Sequence, residues 1–253
     1  MLQHAASAAD PAVEFFPVLS AVAVVRHAFI GRIPGLDVAT DRAEALTRLE
    51  AAHRRIRAQL GFERFHFATV EQIHGDAVAV LDEPLTADRC FDGADGLVTN
   101  QRGVSLGIYV ADCCAIFLVD PVTRAIGLVH SGRKGTELAI LPKAIAKMRE
   151  ACGAAPADLI VQLSPCIRPP HYEIDFAAEI VRQIRDAGVA HVHDTGVCTA
   201  CELRRYYSYR AEKGRTGRML ALLVIPSEVE GSRSVSIKVS LRDPSTPLSL
   251  RSG

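Results

Sequence analysis

The sequence predicts an α/β protein built as a layered sandwich, and three observations carry that reading. Apolar runs rich in β-branched residues alternate along the chain with amphipathic helical segments. Two of those runs, 103–121 and 125–130, are joined by the short turn "DPVTR" (120–124), which is too short for a parallel crossover and implies an antiparallel hairpin. Both faces of that hairpin are apolar. Phe117, Val119, Ile126 and Leu128 fall on one, and Ile116, Leu118 and Val129 on the other, so a layer must cover each side.

The elements follow in order. "TDRAEALTRLEAAHRRIRAQLG" (40–61) places Leu46, Leu49, His53, Ile56 and Leu60 on one helical face, with Thr40 or Asp41 to cap the start and Gly61 to end it. "FHFATVEQIHG" (65–75) reads as a strand ending at His74-Gly75, and "DAVAVLD" (76–82) continues extended. Residues 83–95 read as loop. Strands are expected at 96–100, along 103–121, and at 125–130. A helix is expected over about 138–151, with Pro142 tolerable only near its first turn. A strand at 157–165, a helix at 175–188 carrying Phe176, Ile180 and Ile184 in line, and a final strand at 217–226 complete the pattern. Residues 1–226 are expected to form one domain. From Ser227 the character changes: eight of the last 27 residues are serine, two are proline and none is aromatic, the composition of a poorly ordered tail. Within it, "SVSIKVSL" (234–241) alternates like an edge strand.

Composition excludes several roles. Lys+Arg 29 balances Asp+Glu 29, so net charge makes no case for nucleic acid or an anionic membrane. No apolar run approaches the ~18 residues of a membrane span. The N-terminus lacks the basic start of a signal peptide, and the seven cysteines, an odd number, are expected as reduced thiols in the cytoplasm.

The hairpin raises a chemical question, because "YVADCCAIFLVDP" (109–121) sets Asp112 beside two thiols in an otherwise apolar run. Centring the turn on Pro121-Val122 puts Cys113 directly opposite His130, where Cβ atoms stand roughly 4.5–5.5 Å apart. A thiolate and an imidazole so placed can share a metal ion or a proton. A slip of one residue would present Cys114 instead. Alternation turns Cys113 and Cys114 to opposite faces, and a buried cysteine with no partner is ordinarily a small hydrophobe.

Four segments then resemble one family together: "VEQIHG" (70–75), "ADGLVTNQRGVSLGIYVADCCAIFLVDP" (94–121), "LVHSGRKGTE" (128–137) and "CTACELRRYYSYRAEKGRTGR" (198–218). They are similar to the YfiH-type family, long called laccase-domain or polyphenol-oxidase-like. Matched motif by motif, the resemblance implies metal ligands at His74, Cys113 and His130. It also implies a four-layer α-β-β-α sandwich of the cytotoxic-necrotising-factor and YfiH type, and zinc-containing enzymes acting on purine nucleosides. Their reactions are phosphorolysis of adenosine, inosine, guanosine and methylthioadenosine, and adenosine deamination. The chain departs from the family's usual pattern at "IGRIPGLDV" (30–38), within "HSGRKG" (130–135) after His130, and at "RPPHYEID" (168–175), and in each case the three implied ligands are retained.

Two imidazoles and a thiolate leave a zinc ion one open position, where a water of lowered pKa would suit deamination. Asp112 could orient a ligand or move protons, although alternation points it off the Cys113 face. Phosphorolysis needs an anion site. Arg133, Lys134, Arg210, Arg215 and Arg218 are the candidate cations, together with the backbone of "HSGRKGTE" at a helix start. His171 and Tyr172 are candidate purine contacts, and "CTAC" (198–201) is read as packing at the mouth of the site, with a structural zinc as the lesser reading. The expected partners are purine nucleosides and phosphate, with no nucleic acid and no membrane, on a monomer or homodimer.

Two rival chemistries use the same residues. A copper oxidase of laccase type also employs two histidines and a cysteine, but only one H-x-H pair, "HVH" (191–193), occurs among nine histidines. A cysteine hydrolase or deamidase would use Cys113 as nucleophile and His130 as base, and would not need His74. A partner-binding protein without activity is the third class.

Overall fold

The computed structural model describes residues 11–227. The segment expected to be a serine-rich tail, with its alternating stretch at 234–241, lies outside the described residues beyond Ser227.

In chain order the elements are β1 (Val13–Glu14), α1 (Pro17–Ser20), β2 (Arg26–Ile30), α2 (Arg42–Gln59), β3 (His66–Val70), β4 (Val78–Leu81), β5 (Arg89–Phe91) and β6 (Gly96–Thr99). They continue with β7 (Val104–Val110), β8 (Cys114–Asp120), β9 (Ala125–Ser131), α3 (Arg133–Glu137), α4 (Ile140–Cys152), β10 (Ile160–Leu163), α5 (Phe176–Asp186), β11 (His191–Asp194) and β12 (Met219–Val224). Two six-stranded sheets result, ordered β1-β2-β12-β7-β3-β5 and β11-β10-β8-β9-β6-β4. Both mix parallel and antiparallel pairs: β3 runs parallel to β5 and β7, and β12 antiparallel to β2 and β7.

The sheets meet through the hairpin's first apolar face. Phe117, Val119, Ile126 and Leu128 join one buried cluster with Phe29, Ile108 and Leu222 of the other sheet. Its second face, Ile116, Leu118 and Val129, packs in a separate cluster with Leu141, Ile145 and Met148 of α4 and with Phe176, Ile180 and Ile184 of α5. Each of these large side chains contributes about 1.5–3 kcal/mol by leaving water. The two-sided burial expected of the hairpin is therefore observed along every residue of β8 and β9. On the first sheet, α2 lies against β3 and β7, with the Arg57 guanidinium 3.6 Å from the Phe67 ring centroid and the His53 ring 5.8 Å from Tyr109.

Caps follow the sequence. The Asp41 side chain accepts from the Glu44 N–H at the start of α2 (3.1 Å) and Asp175 from the Ala178 N–H at the start of α5 (3.0 Å). Pro142 falls in the first turn of α4.

Four expectations are corrected. The apolar run 103–121 is two strands in different sheets, because the chain leaves β7 at Val110 and enters β8 at Cys114. The strand expected through Gly75 ends at Val70. The stretch 83–95, read as loop, contains β5, a short strand completed by pairing with β3. Finally, the hairpin register is shifted by two. His130 faces Ala115, and Cys114 faces Ser131, because the Asp120 carboxylate accepts from the Val122 N–H (2.8 Å) and the Thr123 hydroxyl (2.8 Å), centring the turn one residue later. A shift of two preserves alternation, so Cys113 stays on the His130 face as a diagonal neighbour. Among the described residues no helix is long and apolar enough to cross a membrane.

Candidate metal centre

Among the places where the chain crosses from the first sheet to the second, two bear on the site: 71–77, between β3 and β4, and 111–113, between β7 and β8. His74 lies on the first crossing and Cys113 on the second, while His130 sits near the end of β9. The first crossing uses left-handed backbone at Gln72 (φ 63°) and His74 (φ 61°), at a cost of about 1 kcal/mol or more each. Hydrogen bonds hold it there. The Gln72 side chain donates to the Tyr109 carbonyl (2.6 Å) and accepts from the Tyr109 N–H (3.0 Å). The Asp95 carboxylate accepts from the N–H groups of His74 (2.9 Å) and Gly75 (2.7 Å). At the second crossing the Asp112 carboxylate accepts from the Thr199 hydroxyl (2.7 Å) and the Arg210 N–H (2.7 Å).

These constraints bring the ligating atoms of His74, Cys113 and His130 within 4.8 Å of one another. The imidazoles stand edge to face, with centroids 4.8 Å apart and planes at 81°. His130 Nδ1 lies 2.8 Å from a buried Asp95 oxygen. That bond fixes Nδ1 as the protonated nitrogen and frees Nε2 as the donor, the usual partnership of a metal-ligating histidine with a carboxylate. Asp95 was hidden in a stretch read as loop, yet its one carboxylate holds two of the three converging residues, His74 through its backbone N–H and His130 through its ring.

Charge in the cluster is mutually supported. Burial pushes the Cys113 thiol up, but the His130 charge and hydrogen bonds from His130 and His74 outweigh it and bring the thiol down to about 6. Burial pushes His130 down, and the Cys113 thiolate with the Asp95 carboxylate raises it to about 9. Asp95 is itself held below the usual carboxylate range: burial opposes this, and the bonds from His130, Gly75 and His74 prevail. Space is reserved as well. An ideal Cβ on Gly132 would stand inside 3.0 Å of the Cys113 sulfur, although Gly132 has φ −110°, which any residue can adopt. The sulfur, rather than the backbone, requires glycine there. A thiol and two imidazoles, one of them oriented by Asp95, converge from three segments, a donor set that suits a divalent cation with a fourth position open.

The cluster lies in a cavity of about 820 Å³, within the range of small-ligand sites. Asp112, Arg133, Lys134, Arg210 and Arg218 all line it, as do Tyr172, Tyr209 and Phe176. Arg42 and Tyr109 also line it and were missed in the sequence. Arg218 is buried, its guanidinium donating to the Thr216 and Gly217 carbonyls (2.9 Å each). Arg210 pairs with Glu173 at 3.1 Å and lies 4.9 Å from the Tyr172 ring centroid. Arg133 pairs with Glu137 at 2.8 Å. Arg215 does not line the cavity; it is exposed and donates to the Ala39 carbonyl (3.1 Å). The helix after "HSG", expected to favour an anion at its start, has five residues. His171, Cys198 and Cys201 are not part of the lining. His191 and His193 of "HVH" belong to no converging donor group among the described residues.

Fold and site together define a class: a two-sheet α/β protein with a His-Cys-His centre at the seam between its sheets. The family described as multi-copper polyphenol oxidoreductase laccase matches residues 30–178 and 171–226, and the chain belongs to this YfiH-type family. It is similar to a purine nucleoside phosphorylase of Corynebacterium glutamicum, 32% identical over 185 residues, covering 63% of this chain and 74% of that one. A purine nucleoside phosphorylase of Deinococcus radiodurans is 30% identical over 235 residues, covering 80% and 90%. The crystal structure of YlmD from Geobacillus stearothermophilus superposes with a TM-score of 0.69 at 25% identity, covering 81% of this chain and 93% of that one.

Proposed function

We propose that this chain is a zinc-dependent purine nucleoside phosphorylase on a four-layer α-β-β-α sandwich formed by residues 1–226, with adenosine deamination and methylthioadenosine phosphorolysis as further activities. The observation that carries the reading is the convergence of His74, Cys113 and His130 at a cavity that also gathers aromatic rings and arginines. The names of the relatives support the reaction class, and the proposal places the enzyme in the cytoplasm, where its seven cysteines would stay reduced.

In this reading His74, Cys113 and His130 hold the metal, which when bound supplies a Lewis acid and a water of lowered pKa. Asp95 fixes the His130 tautomer and the His74 backbone. Asp112 we assign to positioning, since both its oxygens already accept hydrogen bonds that anchor the Cys113 segment. Tyr172 and Tyr209 offer faces for a purine. Arg133, Lys134, Arg210 and Arg218 surround the cavity with positive charge suited to phosphate. In phosphorolysis a phosphate oxygen bonds to C1′ as the C1′–N9 bond breaks, and the purine leaves with that electron pair and takes up a proton. Holding the phosphate among these cations beneath C1′ supplies orientation and charge compensation.

The test is a screen of adenosine, inosine, guanosine and methylthioadenosine with and without phosphate. Free base and sugar 1-phosphate formed only with phosphate support phosphorolysis, and inosine from adenosine without phosphate supports deamination. No turnover of any nucleoside by zinc-loaded protein refutes both. One second reading has an observation behind it: the lowered Cys113 thiol beside a raised His130 is also the pairing of a cysteine hydrolase. Full activity in His74→Ala with none in Cys113→Ala favours that reading. The family's description names copper, and stoichiometric copper with phenol turnover in purified protein would favour an oxidase.

A further inference from the structure

A second group of donors converges away from the cavity: His171, Cys198 and Cys201. The Cys201 N–H donates to the Cys198 carbonyl (3.2 Å), closing a single turn that carries both sulfurs. His171 arrives from the turn 168–171, where its own N–H donates to the Arg168 carbonyl (2.9 Å). Its Nδ1 stands 3.8 Å from the Cys198 sulfur and 3.5 Å from the Cys201 sulfur.

Those distances discriminate between explanations. One ring nitrogen offers a single lone pair or a single proton, so it can hydrogen-bond only one of the two sulfurs facing it, and the other contact left to Cys198 is a long one, 3.9 Å to the Arg168 carbonyl. A tetrahedral zinc ion, with Zn–S about 2.3 Å and Zn–N about 2.0–2.1 Å, sets neighbouring sulfur and nitrogen ligands about 3.6 Å apart, which agrees with both separations. We propose that His171, Cys198 and Cys201 form a second zinc site, with solvent as the fourth ligand.

The fold gives this site a task. The 168–173 segment carries Tyr172, a wall of the cavity, and Glu173, which pairs with Arg210. The 198–201 turn carries Thr199, whose hydroxyl donates to Asp112 beside Cys113. An ion held by His171, Cys198 and Cys201 ties these two segments together and so fixes one wall of the cavity to the support of the first centre.

The experiment is metal analysis of full-length protein expressed with zinc and purified without chelator. Wild type is expected to carry two equivalents of zinc per chain, Cys201→Ser and His171→Ala one each, and Cys113→Ser one. His171 and Cys201 are exposed, and two independent variants guard against misfolding of either. One equivalent that is lost in Cys113→Ser but kept in Cys201→Ser and His171→Ala overturns the second site and leaves the first intact. One equivalent lost only in the latter two supports the second site and removes the first. A Cys198–Cys201 disulfide found by mass spectrometry in freshly purified protein also overturns the proposal.

Discussion

Gly132→Ala tests the geometry of the first centre with a single methyl group. The backbone at position 132 is extended, with φ −110° and ψ −161°, so alanine brings no conformational strain. Its Cβ would instead stand inside 3.0 Å of the Cys113 sulfur. Comfortable non-bonded contact needs about 3.5–4.0 Å, so the sulfur must retreat by at least about 0.5 Å. Metal–sulfur distances tolerate only about 0.2 Å. Moving the backbone instead would disturb a fully buried strand end, at an overpacking cost of about 1–3 kcal/mol. The expected result is therefore loss of tight metal binding, at least the ~10–100-fold typical of disturbed ligand support, with a fold stable enough to purify. Competition against a chromophoric chelator measures the affinity, and thermal unfolding with and without zinc measures the linkage between binding and stability. Wild-type affinity in Gly132→Ala would refute the argument that the sulfur occupies that space as a ligand.

Three further outcomes are expected. Asp95→Asn weakens the orientation of His130 and the anchoring of His74, lowering metal affinity about 10–100-fold in the same competition assay; an unchanged affinity contradicts the role given to Asp95. Asp112→Ala strands the Thr199 hydroxyl and the Arg210 N–H and should cost about 2 kcal/mol or more in denaturant unfolding, whereas a loss of turnover with no change in stability would return Asp112 to the chemistry. In metal-free protein the Cys113 thiol sits at about 6 against an ordinary 9.0, so its stabilisation is complete above the ordinary value and lost as pH falls through the lowered one. His130 sits at about 9 against 6.5, so its stabilisation is complete below 6.5 and lost as pH rises through about 9. Between these values the two contributions change in opposite senses and offset each other, so the informative side is the acid one: the gap between the melting curves of metal-free wild type and Cys113→Ser should close as pH falls through about 6. A gap that persists at about pH 5 refutes the thiolate–imidazolium pair.

Much of this architecture was legible before any coordinates. The hairpin followed from a five-residue turn and two apolar faces. Its register was placed two residues off because the Asp120 side-chain turn shifts the centre, yet parity survived, and parity is what keeps Cys113 and His130 on one face. The split at 111–113 was not legible, since "YVADCC" is as strand-like on one side of the break as on the other, and only competition between two sheets divides it. His74 left its strand for the same reason. The left-handed turns at Gln72 and His74 use no glycine, so no residue signalled them, and the position came from the motif resemblance alone. Asp95 and β5 were lost together in a polar stretch whose order comes from tertiary partners. Arg133, Lys134, Arg210 and Arg218, expected as phosphate-binding cations, all line the cavity. Arg215, from the same basic segment, points elsewhere because its guanidinium finds the Ala39 carbonyl.

Because the chain passes between the sheets repeatedly, each sheet is woven from both halves of the sequence. Severed between Asn100 and Gln101, the protein would give one piece bearing His74 and Asp95 and another bearing Cys113 and His130. Neither fragment would own a full ligand set, and each sheet would draw strands from both. Cation retention after mixing the fragments would thus report reassembly of the interlaced pair, and the centre doubles as a lock on the weave.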